Sequence, residues 1–88
     1  MILPDVNVLV YAIRPDTTHH AISRRWLQRA VDGEARFALS RLTLSSMVRI
    51  VTNHRIFRVP ATLDEAFAFC DALSTSANCV TVEPGRQH

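Results

Sequence analysis

The stretch "MILPDVNVLVYAI", residues 1–13, places one carboxylate, Asp5, between two apolar runs. The run before Pro4 is short and apolar, which predicts a buried strand. The apolar residues after Asp5 recur at the spacing of one helical face. This stretch therefore predicts a strand that ends in an aspartate and turns directly into a helix.

The next elements follow from similar local signals. "RPDTTHH", residues 14–20, is typical of a loop, and Thr17 or Thr18 is expected to cap the helix that follows. That helix is expected to end at Gly33. Its apolar stripe is expected to be buried and consists of Ile22, Trp26, Leu27, Ala30 and Val31. A second buried strand is predicted over residues 35–40, with a helix over residues 42–53 after it.

The strongest helix signal lies in the C-terminal part of the sequence. Thr62 and Glu65 have the spacing of a capping box, and acidic residues fill the first turn of the predicted helix. Its buried side is expected to hold Phe67, Phe69, Cys70 and Leu73. A third strand is predicted over residues 79–84. The order of elements predicts an α/β fold in which a parallel three-stranded sheet is flanked by helices.

The composition fits one small folded domain. The chain has 88 residues, of which 48% are hydrophobic and 20% charged, a balance typical of globular proteins. No charged leader and no apolar run of membrane length is present, which predicts a cytoplasmic protein with no membrane partner. Cys70 and Cys79 lack the CxxC spacing of a zinc site, and we expect them to be buried thiols.

All ten basic residues are arginines, and the formal net charge is +2. Two groups of them stand out, Arg24, Arg25 and Arg29 on one predicted helix, and Arg49, Arg55 and Arg58 around "MVRIVTNHRIFR". Arginine binds phosphate through a planar fork. Each group is therefore either a solvated face or a surface for a nucleic-acid backbone.

Asp5 has two interpretations on local grounds. Ligands of parallel α/β sheets gather at the carboxyl ends of strands, where a carboxylate would serve a functional site. Aspartate is also a common N-cap residue, and Asp5 immediately precedes a predicted helix. Both interpretations remain open from the sequence.

An apolar strand that ends in aspartate, with a polar residue two positions later, is similar to elements of two enzyme families. Haloacid-dehalogenase-like phosphatases need a second aspartate as general acid, and Asn7 stands at that position here. PIN-domain proteins match further along the chain, in "ILPDVNVLVYA", "DTTHHAISRRWLQRA", "VRIVTNHRIF", "TLDEAFAFCDAL" and "VTVEPG". The chain resembles the VapC-type toxins of bacterial toxin–antitoxin pairs.

This resemblance implies a PIN-like fold and an endoribonuclease that depends on Mg²⁺ or Mn²⁺, forms a homodimer and is inhibited by a cognate antitoxin. Residues 1–88 are then expected to form a single partial domain that lacks its last third. The resemblance makes Asp5 the catalytic metal ligand and Asn7 its hydrogen-bonding support. Ser46 stands where the family commonly carries a glutamate, and it is expected, like Asn7, to support the metal ligand rather than to bind the metal. Arg49 then contacts an RNA phosphate, or it forms a structural ion pair.

An alternative function follows from the small number of acids that match the family. The remaining family acids would fall beyond His88, so the chain is also interpreted as a catalytically impaired remnant that binds an antitoxin or dimerises. Asp16, His19 and His20 have a spacing seen in metal sites, but surface positions explain them better. Glu83, at the end of the predicted third strand, is more simply a solvated acid, and Trp26 is expected in the core or a dimer interface.

Overall fold

The computed structural model describes residues 1–82 of the chain. It contains four helices and two strands: α1 (Val6–Ile13), α2 (His20–Asp32), β1 (Phe37–Ser40), α3 (Arg41–Val51), α4 (Leu63–Ser74) and β2 (Cys79–Val82). The α/β fold with a small parallel sheet flanked by helices is confirmed, and the elements from α1 to β2 follow the predicted order. The sheet of residues 1–82 has two strands rather than the predicted three, because the first predicted strand forms only an isolated bridge. Glu83 and Pro84, the last two positions of the predicted third strand, lie outside the described residues.

The sheet is parallel, with β1 in the middle of three chain segments. Phe37 in β1 pairs with Cys79 in β2 on one side. On the other side Phe37 forms a single parallel bridge with Ile2. The backbone nitrogen of Ile2 donates to the carbonyl of Arg36 at 3.2 Å, and the nitrogen of Ala38 donates to the carbonyl of Ile2 at 2.7 Å. The N-terminal segment therefore joins the sheet at one residue only.

The prediction of a buried first strand is wrong. Met1 is 71% exposed and Leu3 is 68% exposed, although both are apolar. Within residues 1–82 the N-terminal segment pairs with β1 alone, so one edge of it has no neighbouring strand. Apolar character indicates a strand, but burial requires a neighbour on both sides or a covering helix.

The core lies where α1 and α3 pack against each other and against the middle strand. Its largest fully buried side chains are Leu9, Phe37, Leu39, Met47 and Val51. The Ser40 hydroxyl accepts a hydrogen bond from the backbone nitrogen of Thr43 at 3.0 Å and so caps α3. This cap satisfies one of the free N–H groups of the first turn, and the chain passes from β1 into α3 without a loop.

Helix α2 is rotated relative to the predicted stripe. Leu27 is buried as expected, but Ile22 is 69% exposed and Trp26 is 39% exposed, while the polar Ser23 is buried. Because α2 packs against α1, the buried face is set by the position of that neighbour rather than by the apolar residues alone. Trp26 lies instead beside Ile2, at the rim of a shallow depression next to the sheet edge.

The predicted N-cap of α2 is also wrong. Helix α2 begins at His20, and its N-cap residue His19 makes no side-chain cap hydrogen bond. The Thr17 hydroxyl donates backwards to the carbonyl of Arg14 at 2.8 Å. It therefore satisfies the end of α1 rather than the start of α2.

Helix α4 confirms the predicted capping box. The Thr62 hydroxyl accepts from the backbone nitrogen of Glu65 at 3.1 Å, and the Glu65 carboxylate accepts from the backbone nitrogen of Thr62 at 2.8 Å. Leu73 is buried and Cys70 is half-buried, but the prediction for Phe67 is wrong because it is 53% exposed. The inward positions are taken by Ala66 and Leu73, which pack into the core.

No helix in residues 1–82 combines the length and the apolar character that crossing a membrane requires.

Candidate functional site

Asp5 is the N-cap residue of α1 by position, but its carboxylate does not cap the helix. Its backbone is extended, with φ −74° and ψ 154°, and no side-chain cap hydrogen bond is formed. The backbone carbonyl of Asp5 instead accepts from the nitrogen of Val8 at 3.1 Å. The exposed carboxylate therefore has no hydrogen bond or ion pair within residues 1–82, which removes the capping interpretation of this residue.

The parallel register fixes the edge of the sheet at which Asp5 lies. Ile2 bridges Phe37 in the parallel direction, and Asp5 and Ser40 each follow three residues later, so both come after the paired residues in the carboxyl direction. Ser40 in turn pairs with Val82, the last residue of β2. Asp5 and Ser40 thus lie at the carboxyl ends of neighbouring segments, where parallel sheets place their functional groups. Glu83, the next residue after β2, lies outside the described residues.

Helices α1 and α3 both begin at this edge and pack against each other. Asn7 is exposed in the first turn of α1, two residues after Asp5. Ser46 lies near the middle of α3 and is half-buried. Its hydroxyl is neutral, so at this position α3 offers no charge to balance a cation, unlike a glutamate. Asn7 and Ser46 therefore lie on the two helices that start beside Asp5.

Arg49 lies one helical turn beyond Ser46 on α3 and is exposed. Its guanidinium forms no ion pair within residues 1–82, so the predicted alternative of a structural ion pair is not realised there. Arg49 and its neighbours line a largely apolar groove of about 370 Å³ between α3 and α4. The lining residues are Leu44, Ser45, Val48, Arg49, Phe67 and Cys70. The cation therefore stands at the rim of an open surface.

The described residues do not assemble a metal centre. Within residues 1–82 no three His, Cys, Asp or Glu side chains come together in a group that could hold a metal ion. Mg²⁺ demands octahedral coordination by oxygen atoms and is usually bound through one or two carboxylates and several waters. Asp5 is therefore not part of a group of three such side chains within residues 1–82.

Asp16, His19 and His20, whose spacing in the sequence is seen in metal sites, make other contacts in the structure. The Asp16 carboxylate is paired with Arg14, and the Nδ1 atom of His20 lies 2.9 Å from the carbonyl oxygen of Tyr11. The ring of His19 lies 5.2 Å from that of Tyr11, centroid to centroid, in a tilted arrangement. These three side chains hold the loop between α1 and α2 against α1.

Arg14 is the one buried cation among residues 1–82, and sequence reasoning missed it. Only 9% of the residue is exposed, although it follows the last residue of α1 in a predicted loop. Its Nε and Nη2 atoms donate to the two carboxylate oxygens of Asp16 at 3.0 and 2.8 Å. Nη2 also donates to the carbonyl of Val59 at 2.7 Å, and the guanidinium lies 4.3 Å from the centre of the Phe57 ring.

No local signal announces the role of Arg14, because its decisive partner is distant along the chain. Val59 is 45 residues away, in the connector between α3 and α4. An arginine two residues before an aspartate is ordinary in a polar loop. Only the fold brings the connector to the end of α1.

Comparison with known proteins shows relatives of one kind. No protein-family model matches the chain. All 88 residues are similar to ribonuclease VapC25 of Mycobacterium tuberculosis, at 36% identity over 62% of its length. They are also 36% identical to VapC ribonuclease Mb2897 of Mycobacterium bovis, over 60% of its length. Ribonuclease VapC33 of Mycobacterium tuberculosis is 30% identical over 62% of its length. The chain thus spans 60–62% of the length of these relatives.

Proposed function

Because this chain is a homologue of VapC ribonucleases along its whole length, we propose that it functions as a VapC-type toxin that cleaves RNA internally. The observation that carries this proposal is the 36% identity over all 88 residues. The position of Asp5 supports it, since an exposed carboxylate without a partner in residues 1–82 lies at the carboxyl edge of the parallel sheet.

The proposed roles of the site residues follow from their positions. Asp5 is proposed as the catalytic carboxylate and as a ligand of Mg²⁺ or Mn²⁺, and Asn7 as the amide that supports it by hydrogen bonding. Ser46 takes the place of an acid on α3, and Arg49 is proposed to contact an RNA phosphate. Carboxylates from outside residues 1–82 are proposed to complete such a centre, since no three His, Cys, Asp or Glu side chains gather within these residues.

A second candidate function applies if no other carboxylate joins Asp5 at the site. A chain in which Asp5 remains the single site acid would hold Mg²⁺ too weakly for catalysis and would act only by binding partners. Such a catalytically impaired toxin would still sequester an antitoxin or pair with a second copy. The neutral Ser46 on α3 is the specific residue that supports this candidate.

The proposed partners are an RNA substrate, a cognate antitoxin protein and a second copy of the chain. Exposed apolar side chains support protein partners, among them Met1 at 71%, Leu3 at 68% and Phe67 at 53% exposure. Apolar groups gathered at a sheet edge and at a groove are typical of surfaces that become covered on association.

The test is an RNA-cleavage assay with the purified full chain, in Mg²⁺ or Mn²⁺ and in chelator. We expect metal-dependent cleavage that Asp5→Asn reduces at least about a hundredfold, as the loss of a catalytic group does. Asp64→Asn is the matched control, because Asp64 is an exposed carboxylate in the first turn of α4.

Two results would contradict the nuclease proposal. Cleavage of equal rate in the Asp5→Asn and Asp64→Asn variants would exclude Asp5 from the reaction. RNA that stays intact with the wild-type chain in either metal would leave the impaired toxin as the function, and binding of an antitoxin would then be the activity to measure.

A further inference from the structure

The segment from β1 to the start of α4 has an unusual charge distribution. Residues 35–63 contain no Asp or Glu, although eight acids occur in the chain. The same segment carries five arginines, namely Arg36, Arg41, Arg49, Arg55 and Arg58, together with His54. A segment with several arginines and no acid concentrates positive charge in one part of the chain.

Four of these basic residues lie on the last turn of α3 and on the connector to α4. We call them the connector patch: Arg49, His54, Arg55 and Arg58. All four are exposed. None of their side chains forms a hydrogen bond or ion pair within residues 1–82, in contrast to the buried and paired Arg14. The charges of the three arginines are therefore available to an external anion.

The connector that carries the patch is held in a defined conformation. The side-chain oxygen of Asn53 accepts from the backbone nitrogen of Arg55 at 2.9 Å, and its carbonyl accepts from the nitrogen of Phe57 at 3.0 Å. Further along, Arg14 donates to the carbonyl of Val59 and stacks on the Phe57 ring. A loop fixed at both ends loses little conformational freedom when it binds a ligand.

The connector part of the patch lies at the end of α1 that is remote from Asp5. Asp5 precedes α1, and Arg14, which follows α1, contacts the connector. A helix rises about 1.5 Å per residue, so the eight residues of α1 separate the two ends by about 12 Å. A phosphate at the patch is therefore a different phosphate from one beside Asp5.

We propose that the connector patch is an RNA-binding surface that holds the phosphate backbone of single-stranded RNA away from the scissile bond. The proposal rests on the proposed ribonuclease function for the choice of RNA as the anion. Arginine binds phosphate in a bidentate manner, and the patch contains three arginines and no lysine. The surface would position the substrate and takes no part in the chemical step.

The test measures RNA binding rather than cleavage. A fluorescently labelled single-stranded RNA is titrated with the full chain in chelator, so that no divalent metal supports cleavage, at about 50 to 200 mM salt. The patch variant is Arg49→Gln, Arg55→Gln and Arg58→Gln. The control variant is Arg24→Gln, Arg25→Gln and Arg29→Gln, which removes the same charge from exposed positions of α2.

We expect the patch variant to bind RNA at least about tenfold more weakly at low salt and to lose about two units of the salt slope, as the removal of three phosphate contacts predicts. The control variant should lose less than about threefold. Thermal unfolding checks that both variants fold. If the triple variant does not, Arg55→Gln and Arg58→Gln are measured singly, each with a smaller loss in the same direction.

Three results would overturn the proposal. They are no RNA binding by the wild-type chain, equal losses of RNA affinity in the two variants, and displacement of the labelled RNA by polyglutamate as effectively as by unlabelled RNA of equal charge. The last result would assign the patch to an acidic protein. The two proposals can be tested separately. If RNA binding depends on the patch but no metal-dependent cleavage occurs, only the nuclease proposal is refuted. If cleavage depends on Asp5 but RNA binding does not depend on the patch, only the patch proposal is refuted.

Discussion

The side-chain nitrogen of Asn78 lies 2.7 Å from the carbonyl oxygen of Ala30, a residue 48 positions earlier in the chain. The same nitrogen donates to the carbonyls of Gly33 at 3.0 Å and Ala35 at 2.8 Å. Its two hydrogens are thus shared among three acceptors. One amide group ties the end of α2 and the loop into β1 to the residue that precedes β2, and so it supports the β1–β2 register.

Replacing Asn78 should destabilise the fold in a way that depends on pH. Asn78→Ala removes the donors and should cost about 1 to 3 kcal/mol in the free energy of unfolding. Asn78→Asp should cost more at neutral pH, because a carboxylate would face three carbonyl oxygens. Facing carbonyl oxygens raises the pKa of the introduced carboxyl in the folded state, so the difference in stability between the two variants should narrow as the pH falls towards about 4, the ordinary pKa of aspartate. Urea unfolding at several pH values measures the free energy of unfolding of both variants. Equal stability of Asn78→Asp and Asn78→Ala at neutral pH would contradict the prediction.

Arg14 should be the basic side chain on which stability depends most strongly. Arg14→Ala removes two hydrogen bonds to Asp16, one to Val59 and a cation–π contact with Phe57, at a site that is 9% exposed. The expected loss is about 2 kcal/mol or more in the free energy of unfolding.

Arg14→Lys should recover only part of that loss, because an ammonium group cannot make the bidentate contact. Arg25→Ala is the control, since Arg25 is exposed and has no side-chain partner in residues 1–82, and it should change stability by less than about 0.5 kcal/mol. Equal losses for Arg14→Ala and Arg25→Ala would show that the contacts of Arg14 contribute nothing.

The Arg14–Asp16 pair should make the free energy of unfolding depend on pH in the acid range. The hydrogen bond from Arg14 lowers the pKa of the Asp16 carboxyl below its ordinary value of 3.8. The folded state therefore favours the ionised form, so the contribution of Asp16 is present above pH 3.8 and is lost as the pH falls through the lowered pKa. Asp16→Asn should be less stable than the wild type at neutral pH and should approach it in acid. A stability difference that stays constant from neutral pH to below this range would contradict the assignment.

The two thiols should react slowly in the folded chain. Burial raises the pKa of the Cys70 thiol, with a smaller effect from the neighbouring Asp71, and burial also raises the pKa of the Cys79 thiol. Because the thiolate is the reactive form, alkylation by iodoacetamide near pH 8 should be slower in the native chain than in urea. Cys70→Ser and Cys79→Ser variants assign the rate of each thiol. Native and denatured rates that coincide would show that neither thiol is protected.

Local interactions made much of the fold predictable from the sequence. The Thr62–Glu65 capping box forms as expected, and like the Ser40 cap it depends on residues within three positions of each other. The helix after Asp5 follows from its apolar period, and the parallel order follows from the succession of strands and helices. The position of Asp5 at the carboxyl edge of the sheet is a consequence of the same local turn from an extended segment into a helix.

The tertiary structure decided what depends on neighbours distant in sequence. Ser23 faces inward and Trp26 outward because α1 packs on one particular side of α2, a fact that the apolar period of α2 does not contain. Arg14 is buried because the fold brings Val59 to the end of α1, and Met1 is exposed because its segment pairs on one side only. Hydrogen-bonding and helical periods act over a few residues, whereas burial and charge pairing depend on which surfaces meet, so only the assembled chain determines them.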